Sequence, residues 1–301
     1  MSIIQARSIG KVARQILERG RTGTVMGVSS RGVFLNLDSG WTVFLSIEPY
    51  RGPLTLNLAD RGAARDGLKP GDPAFIGPER VEFPAQGIEM IFAGAEVWEA
   101  PDIRISQGKR SQKHEGADAP LNRVLSIKNL ATFASLRFKK SLQGLLPLLL
   151  DEISAQDSLL VVSARPLYRR LQGALESGQA AAAAEALAGF LGLGAGLTPS
   201  GDDLAAGFLL AANRWGGRLS PGLDLEALNA AVIASAQRQT TTLSASLIRC
   251  ACRGQADERL VLALDGLASR APDLEACAAA LASWGNTSGF DALVGMALAM
   301  G

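Results

Sequence analysis

The sequence predicts an α+β protein: an N-terminal helix and a small antiparallel, barrel-like β-rich domain, followed by an α-helical bundle. Two observations carry this. From Thr22 to about Pro101, short β-type runs alternate with Gly and Pro turns, and from about Pro120 onward apolar residues recur every three or four positions. A third, the 48% hydrophobic content of 301 residues, leaves enough apolar material for a sizeable core in each half. Residues 1–120 and 121–301 are therefore expected as two domains.

In chain order, MSIIQARSIGKVARQILERG reads as an amphipathic helix interrupted by Arg and Lys, not as a secretory leader. The β-type runs that follow are GTVMGV, GVFLNLDSGWTVFLSI, GPLTLNLAD, DPAFIGPERVEF and GIEMIFAGAEVWEA. Asp38-Ser39-Gly40 separates Val33-Phe34-Leu35 from Val43-Phe44-Leu45, a hairpin signal. Residues 107–120 are polar and unpatterned, which places a linker there and a boundary near Pro120. Helices are expected over Leu142–Ile153, Leu167–Glu176, Ala180–Leu191, Leu204–Arg214, Leu225–Arg238, Leu260–Ala268, Leu274–Trp284 and Ala292–Met300. Ser158 to Ser163 is the one strand-like run among them.

Charge and cysteine content narrow the function. Thirty bases against 29 acids leave +1, so no global excess points to nucleic acid. Locally, Arg104 to Lys140 holds nine bases and two acids (Glu115 and Asp118), which is either a solvated face or a cationic wall that draws in a small anion. One histidine, His114, excludes a multi-His metal site, and three cysteines (Cys250, Cys252, Cys277) do not make a disulfide framework. No run approaches the roughly 18 apolar residues of a membrane span. A cytoplasmic enzyme or enzyme subunit, with no membrane partner, is the expectation.

Chemistry concentrates in three segments. The first, GLGAGLTPSGDD over 192–203, offers alternate glycines (Gly194 and Gly196 among them), the hydroxyls of Thr198 and Ser200, then Gly201, Asp202 and Asp203 at a helix start. Unpaired N–H groups there suit a small anionic substrate. Asp202 and Asp203 beside an anion suit Mg²⁺ as a bridging cofactor; without a metal, an Asp there orients an NH or NH₂ of the substrate. A Gly-rich turn with Ser200 as N-cap is the plain structural alternative. The second segment, Asn286-Thr287-Ser288-Gly289-Phe290-Asp291, leads into another helix in the same manner, although Ser288 with Asp291 also makes an ordinary capping arrangement. In the third, Thr242, Ser246 and Arg249 fall on one helical stripe, whose partners are either neighbouring backbone or a substrate carboxylate or phosphate.

Together, G-L-G-A-G-L-T-P-S-G-D-D-L-A-A-G, T-T-T-L-S-A-S-L-I and G-N-T-S-G-F-D-A-L-V-G resemble a bacterial family that includes proteins called carboxylases and the smaller, AllH-like subunit of oxamate carbamoyltransferase from anaerobic allantoin breakdown. The resemblance covers about residues 190–301. It implies phosphorolysis of oxalurate to oxamate and carbamoyl phosphate, performed with two other subunits. Thr198, Ser200, Gly201, Asp202, Asp203, Ser244, Ser288 and Asp291 are where this chain meets the family pattern. Asp202, Asp203 and Asp291 are the expected catalytic carboxylates. Two other readings stay open: a nucleotide- and Mg-dependent carboxylase or ligase, and a non-catalytic ligand-binding or scaffolding subunit.

Overall fold

The computed structural model describes residues 2–59, 67–102, 144–150, 158–219, 222–269 and 274–301. The chain divides into two compact units, Met1–Ala100 and Pro101–Gly301. The expected boundary near Pro120, the whole basic stretch 104–140 and His114 lie outside the described residues.

The first unit is a closed β-barrel. Its strands are β1 (Ser2–Gly10), β2 (Thr22–Ser29), β3 (Gly32–Leu37), β4 (Thr42–Ser46), β5 (Thr55–Leu58), β6 (Pro73–Gly77), β7 (Arg80–Phe83), β8 (Ile88–Ile91) and β9 (Glu96–Trp98), with α1 (Lys11–Leu17) after the first. They run in the order β5-β4-β3-β2-β6-β7-β8-β1-β9, and an antiparallel β1–β5 pairing closes eight of them into a ring. Closure removes the unpaired edges that an open sheet would expose. The pairing is mixed, since β1 lies parallel to β8 and β9 and β4 lies parallel to β5. Inward residues such as Ile4, Leu35, Leu45, Leu56, Phe83 and Met90 fill the barrel and are fully buried.

Asp38-Ser39-Gly40 does turn β3 into β4, with Leu35 opposite Val43 and the rings of Phe34 and Phe44 stacked at 4.4 Å. The start of the chain departs from expectation. Residues 2–10 form a strand, and the helix is only Lys11–Leu17. Ile4 and Ile9 are buried because β5 and β8, some fifty to ninety residues away, supply the ladder that β1 joins.

The second unit is helical: α2 (Leu159–Glu176), α3 (Ala180–Phe190), α4 (Ser200–Leu219), α5 (Leu225–Gln239), α6 (Thr242–Ala251), α7 (Glu258–Ser269), α8 (Leu274–Ala282) and α9 (Ser288–Met300), with a 3₁₀ turn at Leu146–Leu150. The run at 158–163 is not a strand. Ser158 caps α2 by accepting from the Val161 N–H at 3.3 Å, and a cap outweighs the local β-propensity of Val161 and Val162. Helices α4 and α9 form the centre and cross with their backbones in contact. A Cβ on Gly207 would stand 2.0 Å from the Ala292 carbonyl oxygen, and one on Gly295 would stand 1.9 Å from that of Leu204. Every residue of α9 from Gly289 to Met300 is buried. No helix among the described residues is long and apolar enough to cross a membrane.

Candidate functional site

The glycine loop between α3 and α4 is exposed, and its backbone needs the glycines. Gly192, Gly194 and Gly196 have φ of +78°, +120° and +98°, a region that side chains with a Cβ adopt at a cost. Gly194 also has no room, since a Cβ there would lie 2.8 Å from the Ser200 nitrogen. The loop folds back onto α4 and spends the amides that the sequence offered to an anion. The N–H of Gly201 donates to Leu193 O at 2.9 Å, and those of Asp202 and Asp203 donate to Pro199 O at 2.9 and 3.2 Å. At α9, Gly289 donates to Trp284 O, and Phe290 and Asp291 donate to Thr287 O. These six amides are therefore satisfied by protein carbonyls, not poised for an oxyanion. Thr287 occupies the N-cap position of α9, displacing the Ser288–Asp291 capping arrangement by one residue. Pro199 takes the corresponding role at α4, where Ser200 was the expected cap.

What the loop does build is a meeting of three helix starts. The Thr198 and Ser288 hydroxyls approach to 3.4 Å, joining the loop to α9. Thr241 caps α6 by accepting from the Ser244 N–H at 3.1 Å, and its hydroxyl donates to Leu197 O at 2.7 Å. The Ser200 and Thr287 hydroxyls oppose the rise in the pKa of the Asp291 carboxyl. Asp202 and Asp203 are each 2% exposed, Ser244 1% and Asp291 0%. Asn286 stays at the surface.

The three acids are not equivalent. Asp202 is fully employed: Oδ1 accepts from the Gly192 N–H at 2.8 Å and Oδ2 from the Thr240 hydroxyl. It ties the start of the glycine loop to the turn before α6. Burial raises its pKa, and those two bonds, with the nearby Ser244 hydroxyl, pull it back. Asp291 Oδ1 accepts from the Leu145 N–H at 2.6 Å, in a fit so close that a Cβ on Gly144 would stand 2.3 Å from it. Asp203 Oδ2, Asp291 Oδ2 and the Ser244 hydroxyl are buried with no hydrogen-bond partner in the protein. Burial pushes Asp291 up to about 6 against the opposing Leu145 amide and the Ser200 and Thr287 hydroxyls. Asp203 is raised well above the usual carboxylate range, first by burial and then by the charge of Asp291, with the Ser288 and Thr198 hydroxyls opposing. Two like charges in one dry site oppose each other, so burial and mutual repulsion favour the protonated form at Asp203.

Residues 190–300 match the family described as Oxamate carbamoyltransferase subunit AllH. This part of the chain is AllH-like. The match runs from the end of α3 to the end of α9 and contains all three acids and Ser244; the barrel lies outside it. No curated protein and no solved structure matches the chain.

Within the AllH-like region, the third predicted segment meets the acids at Thr240 and Ser244. The Ser246 hydroxyl donates to Thr242 O at 2.7 Å, on its own helix, and Arg249 reaches Ala245 O at 3.4 Å and the Ser246 hydroxyl at 3.3 Å. Burial lowers the pKa of the Arg249 guanidinium, and the Arg253 charge lowers it further. Ser244, two positions from either stripe residue, is the α6 hydroxyl beside Asp202. Among the described residues no group of three or more His, Cys, Asp or Glu is arranged to hold a metal ion, and Asp202 has given both oxygens to protein donors. Cys250 and Cys252 are pushed up to about 12 by burial and stay neutral thiols. Sequence reasoning missed Thr240, which the run Thr240-Thr241-Thr242 could have signalled, and the Leu145 amide, which as a backbone group left no signal.

Proposed function

We propose that this chain is a subunit of a carbamoyl-transfer enzyme of the oxamate carbamoyltransferase kind, acting with other subunits to convert oxalurate and phosphate into oxamate and carbamoyl phosphate. Its part is to hold the carbamoyl-bearing substrate where the starts of α4, α6 and α9 meet. The carrying observation is that the span similar to AllH contains three buried polar atoms without partners, Asp203 Oδ2, Asp291 Oδ2 and Ser244 Oγ. A buried acceptor left unpaired costs about 1–3 kcal/mol, and more when it is charged. A ligand that supplies the missing donors recovers that cost on binding. The charged groups acting on Asp203 are the other two carboxyls, so a phosphate dianion would be repelled here, and its binding falls to residues outside this cluster.

The test is reconstitution of the chain with its partner subunits, reading carbamoyl phosphate formed from oxalurate and phosphate. Asp203→Ala, in an assembly that still forms, is expected to lose at least ~100-fold in rate, on the scale of a positioned acid-base group. An assembled variant at full rate would mean that the chain is a scaffold and not part of the reacting site.

A further inference from the structure

Three buried polar atoms without partners are a specific chemical request. An ionised carboxylate only accepts hydrogen bonds, and a protonated one adds a single donor. Asp203 and Asp291 act on each other electrostatically, lie on different helices, and each keeps one oxygen unused while its surroundings are closed to solvent. Six amides at these helix starts are already bonded to Leu193, Pro199, Trp284 and Thr287. What is missing is therefore donors for the two carboxyl oxygens, together with an acceptor for the Ser244 hydroxyl or for a proton on the pair. Phosphate presents mostly acceptors and negative charge. A primary amide or ureido group presents two N–H donors and one carbonyl acceptor on a small, uncharged edge.

We propose that Asp203 and Asp291 grip the N–H edge of an amide or ureido group through their unpartnered Oδ2 atoms, which makes them the residues that select a carbamoyl-type ligand over a carboxylate or phosphate at this site. This deepens the carbamoyl-transfer reading and rests on it. Asp202 serves the pair indirectly as a positioning residue, since its bonds to Gly192 and Thr240 hold the loop and the turn before α6 in place. The substitution Asp291→Asn is a sharp probe. The amide oxygen keeps the bond from the Leu145 N–H, and the NH₂ then stands where Oδ2 stood, so donors face donors.

The experiment is calorimetric titration of the purified full-length chain with oxamate and with oxalate, which has the same skeleton but no amide, alongside inorganic phosphate and guanidine. Oxamate is expected to bind at least ~10-fold more tightly than oxalate, and Asp291→Asn and Asp203→Asn are expected to abolish that ratio, as loss of paired donors predicts. Ser246→Ala, whose hydroxyl bonds its own helix, should leave the ratio unchanged. The proposal is overturned if oxalate or phosphate binds as well as oxamate, if guanidine binds better, if the ratio survives Asp291→Asn, or if oxamate gives no saturable binding at millimolar concentration. A chain that binds oxamate through this pair while its assembly forms no carbamoyl phosphate refutes the functional reading and leaves the pair's selectivity standing. An assembly that turns over at full rate with both Asn variants, while Asp203→Ala is impaired, refutes the selectivity alone.

Discussion

The barrel and the helical unit differ in where they keep their carboxyls, although each leaves a buried polar atom unpartnered, Gln86 Oε1 in the barrel. In the barrel, Ser8 and Asn57 are buried and complete each other: the serine hydroxyl donates to Asn57 Oδ1 at 3.1 Å, and Asn57 Nδ2 donates to Glu48 O and Tyr50 O at 3.1 and 2.7 Å. Its charges stay near the surface in pairs such as Lys11–Glu99 and Arg14–Glu18. The helical unit also shows finished pairs, as where Arg214 bonds both oxygens of Asp265. At the junction of α4, α6 and α9, however, it buries three carboxyls and leaves two of them incomplete. A fold that needed only stability would put apolar side chains there. The contrast is that the barrel keeps its carboxyls near the surface, while the helical junction buries carboxyls whose hydrogen bonding the protein leaves incomplete.

Three measurements break or sharpen this contrast. The largest effect belongs to Asp291. Its carboxyl titrates near 6 in the folded protein against 3.8 ordinarily, so between those values the folded state holds more protons than the unfolded one, and stability falls as pH rises. That contribution is fully present below about pH 4 and lost above about pH 6. Asp203, also raised, adds a fall in the same direction. Asp291→Asn should therefore be no less stable than the wild type at pH 4 and more stable at pH 7 and above, by about 3 kcal/mol on the linkage scale. Denaturant unfolding across pH 4–8 reads this difference, and a difference that stays flat with pH would show Asp291 to be an ordinary, completed carboxylate.

Next comes Thr240→Val, which removes the hydroxyl that donates to Asp202 Oδ2 while keeping shape. A hydrogen bond to a buried charged group is worth about 1.5–3 kcal/mol, and that loss should appear in the denaturation midpoint. Because Asp202 positions the loop, oxamate binding should weaken in the same variant. The smallest effect is Ser8→Ala in the barrel, about 1 kcal/mol from one neutral bond, with ligand binding unchanged. If Ser8→Ala altered oxamate binding as much as Thr240→Val, the separation of a structural barrel from a binding junction would fail.

Local chemistry carried much of this protein in readable form. Turn residues placed the 38–40 hairpin, three- and four-residue periodicity placed the helices, and small hydroxyl residues with Asp at two helix starts marked the junction before any fold was in view. These features depend on neighbours within a few positions, so a linear reading reaches them. Tertiary structure alone decided the rest. Residues 2–10 are a strand because β5 and β8 stand beside them, although their own sequence reads as helical. Asp202 and Asp203 are adjacent and alike in type, yet one is a completed tie and the other an open acceptor. The difference lies in Thr240, 38 residues on, and Gly192 reaching the first but not the second. Asp291 likewise owes its orientation to the Leu145 amide 146 positions away. Whether a buried carboxyl is satisfied is a question of which distant donors arrive within hydrogen-bonding distance, and only the folded chain answers it.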